Sequence, residues 1–215
     1  MKTEINPQET SRAAAFSLWI TSPMPMVTLT KTFNVTNLLK ASKRQGIKFN
    51  TLLCWCIGKA ASQIKEFYIL PEQGKLFKYD RIGINIIVNN KDGGINSCDI
   101  AYTPDIKDFA SDYNTLTKQA AEECKSSFLD DYMIVGTSAM VLTELDCIVN
   151  QYTDKFCNPM VMWGKYRKQW FKTILPISFQ FHHTQMDGGH GASFLALLQH
   201  QFHFMGLYFT SLCRV

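Results

Sequence analysis

The feature that most constrains the fold is a strand pattern that runs directly into a tight polar turn. Within residues 174–182, the apolar Ile177, Phe179 and Phe181 alternate with Ser178, Gln180 and His182, which is the period of a strand with one buried face. His183 continues the phase of the buried residues, so we expect it to point inward or into a cleft. Asp187 and two glycines then indicate a turn, because glycine permits left-handed backbone.

His183 and Asp187 support two interpretations. In the first, a buried imidazole near a turn-anchored carboxylate acts as a general base, since burial poises its pKa and the turn fixes the ring. In the second, His183 is a core histidine at the end of a strand, followed by an ordinary Asp-Gly turn. The residue types alone leave both interpretations open.

The surrounding motif favours the first interpretation. The pattern His-His-x-x-x-Asp-Gly-x-His at His182, His183, Asp187, Gly188 and His190 resembles the signature of the chloramphenicol acetyltransferase family, within the CoA-dependent acyltransferase superfamily. The similarity is close from about residue 136 onward and loose between residues 66 and 135. Further segments that resemble the family are residues 159–166, Pro176, residues 33–40, Lys48 with Phe49, and Arg12 with Phe16.

The resemblance implies direct transfer of an acetyl group from acetyl-CoA to a hydroxyl of a small hydrophobic acceptor, chloramphenicol or a similar alcohol. His183 would be the general base, a role typically worth ~10²–10⁴-fold in rate. His182, on the opposite face of the strand, would be structural. Asp187 would pair with Arg12 and hold the turn and the N-terminal helix against the catalytic strand.

The resemblance also implies a donor for the oxyanion, typically worth ~10²–10³-fold. Ser138 is the preferred candidate, because Ser138-Ala139 matches the family's Ser-Ala once a short gap is introduced. An ungapped register would place Gly136 there instead, and Thr137 and Thr143 remain alternatives. A turn serine that caps the backbone is the structural interpretation of Ser138.

By resemblance, Lys48 and Lys165 would lie near the nucleotide phosphates of CoA and Tyr166 beside the adenine. Lysine suits phosphate because it is a mobile point charge. Asn50 stands where the family commonly has an aromatic residue.

The acceptor pocket would include Phe16, Trp19 and Met162. An apolar pocket of this composition suits a nitrophenyl ring or another hydrophobic alcohol. Met162 replaces a threonine typical of the family.

Several strands in a row and segregated helices predict an α+β fold, with one large mixed β-sheet and helices packed on it in a two-layer sandwich. Residues 1–215 are predicted to form a single domain. Helices are predicted over residues 11–20, 36–44, 50–64, 105–125 and from 188 onward, and strands over residues 26–33, 82–89, 97–103, 132–135, 139–149, 159–166 and 174–182.

The composition limits the classes of ligand and partner that the chain is expected to bind. With 19% charged and 46% hydrophobic residues, the chain is globular. The net charge of +4 comes without a nucleic-acid-binding motif, so a phosphate-bearing small ligand is favoured over DNA or RNA. Seven cysteines, Cys213 the last of them, show no metal-ligand spacing, and no metal is expected. Without a signal peptide or an 18-residue apolar run, we expect no membrane contact and a cytoplasmic location.

The resemblance further implies a homotrimer with active sites at the subunit interfaces. Residues 132–166 add a reason of their own, since strands that are apolar at nearly every position suit burial on both faces. A monomer with a larger core is the alternative. Two alternative functions also stay open, a dihydrolipoamide acyltransferase-like catalytic domain and a CoA-binding relative without catalysis.

Overall fold

A mixed seven-stranded sheet forms the centre of the molecule. The computed structural model describes residues 1–208 apart from residue 154, so Cys213 lies outside the described residues. The strands are β1 (Lys2–Ile5), β2 (Met26–Asn34), β3 (Ile69–Glu72), β4 (Lys75–Tyr79), β5 (Ile82–Asn89), β6 (Ile95–Ala101), β7 (Met133–Met140), β8 (Met160–Gly164), β9 (Arg167–Gln169) and β10 (Lys172–His182).

The large sheet has the order β2-β10-β8-β7-β5-β6, with β9 added beside β10. The pairs β5–β7 and β7–β8 are parallel and the other pairs are antiparallel. A separate three-stranded sheet has the order β1-β4-β3. Strand β10 lies inside the large sheet, and every residue from Thr173 to His182 is buried.

Helices cover one face of the large sheet. The covering helices are α2 (Thr36–Gln45), α3 (Phe49–Ala61), α4 (Ile106–Glu123) and α5 (Gly188–Tyr208), and the short α1 (Ala13–Trp19) lies near the N-terminus. Helix α3 is buried along nearly its whole length, as its almost uninterrupted apolar sequence requires. The inward residues of β10, Ile177, Phe179 and Phe181, pack with the helices in the core. The predicted α+β fold with a mixed sheet and helices packed on it is therefore confirmed.

The opposite face of the sheet is covered by the chain itself. Residues 141–153 and 155–158 cross it without regular secondary structure, apart from one isolated bridge, and we call them the covering segment. Their backbone is tied to the outward side chains of β10: Ile148 N donates to Ser178 Oγ at 2.9 Å, and Gln180 Nε2 donates to Asn150 O at 3.1 Å. Polar residues on this face of β10 are thus buried without an adjacent helix layer.

Two predicted strand boundaries between residues 132 and 149 are wrong. The predicted strands 132–135 and 139–149 are one strand, β7, which ends at Met140. The apolar residues between 141 and 149 do not alternate across a sheet; they belong to the covering segment. Four short strands, β1, β3, β4 and β9, were not predicted. Each has five residues or fewer, and β3 contains Pro71, which an edge strand tolerates.

None of the helices in the described part of the chain combines the length and the apolar character of a membrane span.

Candidate active site

Arg12 ties the N-terminal segment to the turn that follows β10. Arg12 is 5% exposed, and its guanidinium makes three hydrogen bonds at once. Nε donates to Thr184 O at 3.1 Å, Nη2 donates to His183 O at 2.7 Å, and Nη1 donates to Asp187 Oδ2 at 3.0 Å. The planar fork of arginine makes such a three-way bridge possible, which lysine could not reproduce. The backbone of His183 is therefore held directly by Arg12.

Asp187 connects this bridge to the start of α5. Its Oδ1 accepts from Gly189 N at 3.0 Å and from His190 N at 3.4 Å, as a helix-capping carboxylate does. Burial would raise the pKa of Asp187, but hydrogen bonds from the His190 backbone and from Arg12 outweigh it and hold the pKa below its ordinary value. The carboxylate therefore stays ionised, and it holds the turn between β10 and α5 in place.

His190 extends the network to a residue that the sequence did not single out. Its Nδ1 lies 3.2 Å from Asp187 N and 3.1 Å from Asp187 Oδ1, so the ring is held whether or not Nδ1 carries a proton. Its Nε2 lies 3.4 Å from Oε1 of Glu66, a buried carboxylate. Glu66 lies in the part of the chain where the family resemblance is loose, and no local pattern marks it.

His183 is fixed by contacts on several sides. Its ring stacks on Trp19 with centroids 4.7 Å apart and planes within 5° of parallel. Its backbone N–H donates to Pro25 O at 2.8 Å. Its Nδ1 is buried and has no hydrogen-bond partner among the described residues. Such a nitrogen is costly to leave unpaired, which suggests that it acquires a partner when a ligand binds.

His182 has a different environment. It is buried on the opposite face of the strand, and its Nδ1 accepts from Thr184 N at 3.1 Å. Burial and, to a smaller extent, the neighbouring His183 together lower the pKa of His182 to about 4. His182 is therefore neutral near pH 7 and a weak base.

The three residues expected at the cofactor line one cavity. Lys48, Lys165 and Tyr166 border a space of about 550 Å³, in which Trp163 and the end of β5 form apolar wall. The two lysines and Tyr166 are exposed. Phe49 packs beside Tyr166 with ring centroids 5.2 Å apart. Cations at the entrance and an apolar interior suit an anionic group attached to a long, less polar chain.

A second cavity, of about 400 Å³, lies on the sheet face opposite the helices. We call it the sheet-face cavity. One row of paired residues crosses it from strand to strand, and the strand register places all of them on the same face. In order from β2 to β6 they are Thr28, Gln180, Met160, Gly136, Asn85 and Asp99.

The space over Gly136 is filled by the Met160 side chain, since a Cβ at Gly136 would overlap the Met160 sulfur. Ser138 lies two residues further along β7, paired with Met162. Gly136, and not Ser138, therefore lines the sheet-face cavity. Thr137 faces the other side and donates to Asn85 O at 2.7 Å.

The predicted acceptor residues are not brought together in one described cavity. Trp19 lies against His183, Phe16 lies one helical turn before it in α1, and Met162 is buried in the sheet. None of them lines the two cavities described above, and neither does His183. His183, the candidate general base, thus lies outside both of the cavities described in a single chain.

Comparisons with known proteins agree with this architecture. The family model described as chloramphenicol acetyltransferase matches residues 2–199. Chloramphenicol acetyltransferase 2 of Escherichia coli is 23% identical over 202 residues, which cover 92% of this chain and 95% of the relative. The chloramphenicol acetyltransferase of Clostridium butyricum is 27% identical over 195 residues, covering 88% of this chain and 89% of the relative.

Solved structures show the same fold. A chloramphenicol acetyltransferase superposes with a TM-score of 0.82 at 19% identity, covering 94% of this chain and 100% of the other. A probable dihydrolipoamide acetyltransferase from Listeria monocytogenes gives a TM-score of 0.70 at 13% identity, with 94% of each chain covered. With the family model matched over almost the whole length, the chain belongs to the chloramphenicol acetyltransferase family and is an acyltransferase.

Proposed function

We propose that this protein transfers an acetyl group from acetyl-CoA directly to a hydroxyl of a small acceptor, with His183 as the general base and residues 1–215 as one catalytic domain. The observation that carries the proposal is the His183 ring itself. It is clamped by Trp19 and by backbone bonds to Arg12 and Pro25, and its buried Nδ1 is unpartnered among the described residues. The neutral, buried His182 is a poorer base, because proton transfer favours a base whose pKa lies near the working pH.

Acetyl transfer would proceed in two steps, addition to the thioester carbonyl and collapse of the tetrahedral intermediate. His183 removes the proton of the acceptor hydroxyl as its oxygen attacks the thioester carbonyl, which forms a carbon–oxygen bond and a tetrahedral oxyanion. The intermediate collapses when the carbon–sulfur bond breaks. The CoA sulfur then takes the proton from the His183 imidazolium, and the acetylated acceptor and free CoA leave.

The oxyanion needs a donor, and Ser138 is our candidate. Thr137 uses its hydroxyl for Asn85 O in the core, and Thr143 lies exposed beyond the end of β7, with its hydroxyl on Glu144 O at 3.3 Å. Ser138 is half-buried on the outward face of the sheet. Among the three hydroxyl candidates, this placement favours Ser138.

Acetyl-CoA would occupy the cavity of Lys48, Lys165 and Tyr166. The two exposed lysines would neutralise phosphate groups, Tyr166 would pack against the adenine, and the apolar wall would hold the pantetheine chain. The acceptor would bind against Phe16, Trp19 and Met162, with chloramphenicol the first candidate. None of the six cysteines in the described residues forms a disulfide, which supports a cytoplasmic location.

The protein is proposed to be a homotrimer, because one chain leaves its site incomplete. His183 lies outside both cavities, so a neighbouring subunit would have to bring its cavity to this histidine. The covering segment supports such an interface: Leu142 is 96% exposed and Phe156 71%. Large exposed apolar side chains on one segment are typical of a surface that contacts another protein. Closed three-fold symmetry would then form three identical sites.

Light scattering tests the assembly. The proposal predicts a mass about three times the 24.6 kDa of the chain. Replacing the exposed Leu142 with aspartate should lower the mass and the activity together, whereas the same substitution at the exposed Ile95, at the start of β6, should lower neither. A mass of one chain with full activity would contradict the interface site.

The function itself is tested by thiol release from acetyl-CoA in the presence of a panel of hydroxyl and thiol acceptors. The proposal predicts release that depends on an alcohol, with chloramphenicol and amino alcohols in the panel. Release with dihydrolipoamide alone would instead identify a lipoamide acyltransferase. No release with any acceptor, despite measurable binding of CoA, would identify a CoA-binding protein without catalysis.

A further inference from the structure

The turn between β9 and β10 displays two adjacent aromatic side chains in solvent. Trp170 is 92% exposed and Phe171 96%. They form a two-residue loop, since Gln169 on β9 pairs with Lys172 on β10. We call residues 168–172 the aromatic tip. Neither aromatic residue lines the two cavities described above, and large apolar groups exposed side by side are typical of a surface that contacts a partner.

The backbone of the aromatic tip shows that the turn itself does not call for a tryptophan. Trp170 has a φ of 53°, a left-handed conformation that bulky side chains rarely adopt. In a two-residue hairpin loop, glycine or asparagine normally occupies such a position, because either adopts it at little steric cost. Trp170 therefore raises the conformational energy of the turn and exposes apolar surface as well. A contact made outside the chain accounts for both features.

Two lysines give the aromatic tip a positive charge. Lys168 and Lys172 are exposed, and they project from opposite faces of the hairpin, because Lys168 pairs with Thr173 and side chains alternate along a strand. The tip contains neither aspartate nor glutamate. The neighbouring Arg167 is already paired, with Nη1 3.0 Å from Asp146 Oδ1. Charge complementarity therefore favours a partner whose surface is negative.

The shape of the aromatic tip favours a lipid surface as this partner. The tip is one projecting turn with a cation on each side. Tryptophan and phenylalanine enter the layer between the lipid headgroups and the acyl chains, and flanking lysines bind the phosphates of anionic lipids. We infer that the aromatic tip docks the protein on the surface of a membrane that contains anionic phospholipids, with Trp170 and Phe171 in the interfacial layer and Lys168 and Lys172 at the headgroups.

This docking is peripheral and does not depend on acetyl transfer. It replaces the expectation that the protein makes no membrane contact, which considered only signal peptides and spanning segments. In the proposed trimer, cyclic symmetry places the three tips in one plane, so a flat membrane would meet them together and bind more tightly than it binds one tip. A hydrophobic acceptor partitions into the same membrane, so docking would bring the active site close to its substrate.

Cosedimentation with vesicles tests the inference on the whole protein. One set of vesicles contains phosphatidylcholine alone, and the other contains phosphatidylcholine mixed with the anionic phosphatidylglycerol. The aromatic variant combines Trp170→Gly with Phe171→Ser, and it should fold because glycine suits the left-handed turn. The charge variant combines Lys168→Gln with Lys172→Gln. The matched control is Ile95→Ser, which removes an apolar side chain that is 67% exposed at the start of β6.

We expect the wild-type protein and Ile95→Ser to bind the mixed vesicles roughly ten-fold or more tightly than phosphatidylcholine alone, and less tightly at high salt, which screens surface charge. The aromatic and charge variants should each lose about ten-fold or more of the binding to mixed vesicles. Brominated lipids should quench the tryptophan fluorescence of the wild-type protein, and the change Trp170→Gly should remove this quenching. The mass of the aromatic variant and its thiol release with a water-soluble acceptor should stay unchanged, since the tip lies outside both cavities.

Wild-type protein that stays in the supernatant with mixed vesicles would overturn the inference, as would equal binding to the two kinds of vesicle. Full binding by a folded aromatic variant would overturn it too. A wild-type particle larger than a trimer, which the aromatic variant reduces to a trimer without any vesicle binding, would instead show that the tip joins copies of this protein. Vesicle binding that depends on the tip, in a protein without thiol release, would support the inference and refute the proposed function.

Discussion

Replacing His183 with alanine should lower kcat by about 10²–10⁴-fold, because the acceptor hydroxyl would lose the base that removes its proton. The Kd for CoA should stay nearly unchanged, since His183 lies outside the cavity lined by Lys48 and Lys165. Steady-state kinetics and equilibrium binding of CoA measure the two quantities. The Tm should change little, because the ring contacts Trp19 at the edge of the core and its Nδ1 makes no bond within the described residues.

The matched control is His182→Asn, at the adjacent position. Asparagine can accept the bond from Thr184 N that His182 Nδ1 now accepts. This variant should lose stability more than activity. A larger loss of kcat in a folded His182→Asn protein than in His183→Ala would show that the assignment of the base is wrong.

Replacing Arg12 with methionine should destabilise the protein by about 2–4 kcal/mol, because the backbone oxygens of His183 and Thr184 would lose their donor in a buried setting. For a chain of this size the Tm should fall by roughly 4–16 °C. The kcat should fall too, since Arg12 holds the backbone that carries the base. Thermal denaturation and steady-state kinetics measure the two effects.

Asp187→Asn should destabilise the protein less than the replacement of Arg12 with methionine. The Asp187 side chain is 45% exposed, so solvent screens its ion pair with Arg12, and about 1 kcal/mol is the expected loss. Asparagine would still accept from Gly189 N. An Asp187→Asn protein with unchanged Tm and an activity loss equal to that of His183→Ala would contradict the structural role and favour a direct catalytic one.

The long elements could be predicted from the sequence because their periodicity is strong. The second half of strand β10 alternates between apolar and polar residues, and α4 carries a clear apolar face with Asp105 at its N-cap. The short strands of the small sheet could not be predicted, since four or five residues are too few to show a periodic hydrophobic pattern. Residues 141–149 look strand-like because they are apolar, yet their partner is the outer face of the sheet and not a neighbouring strand.

The candidate site, too, could be predicted only where its residues belong to a local sequence pattern or to the family motif. The residues of the motif at His183 are close in sequence, and the family resemblance related Arg12 to Asp187. Asp99 and Gln180 lie 81 positions apart and meet in one cavity only through the register of six strands. Glu66 reaches His190 in a similar way. A polar residue between apolar neighbours in a strand, such as Asn85, was the available signal for the cavity.

The most direct test of the account follows the acetyl group itself. Protein is incubated with acetyl-CoA labelled in the acetyl group and an excess of an alcohol acceptor, chloramphenicol first, and the products are separated and identified. The account predicts that the label moves to an oxygen of the acceptor in step with release of free CoA, and that His183→Ala slows both by about 10²–10⁴-fold. Label that stays on the protein, or transfer that continues at the wild-type rate in His183→Ala, would contradict direct transfer with His183 as the base.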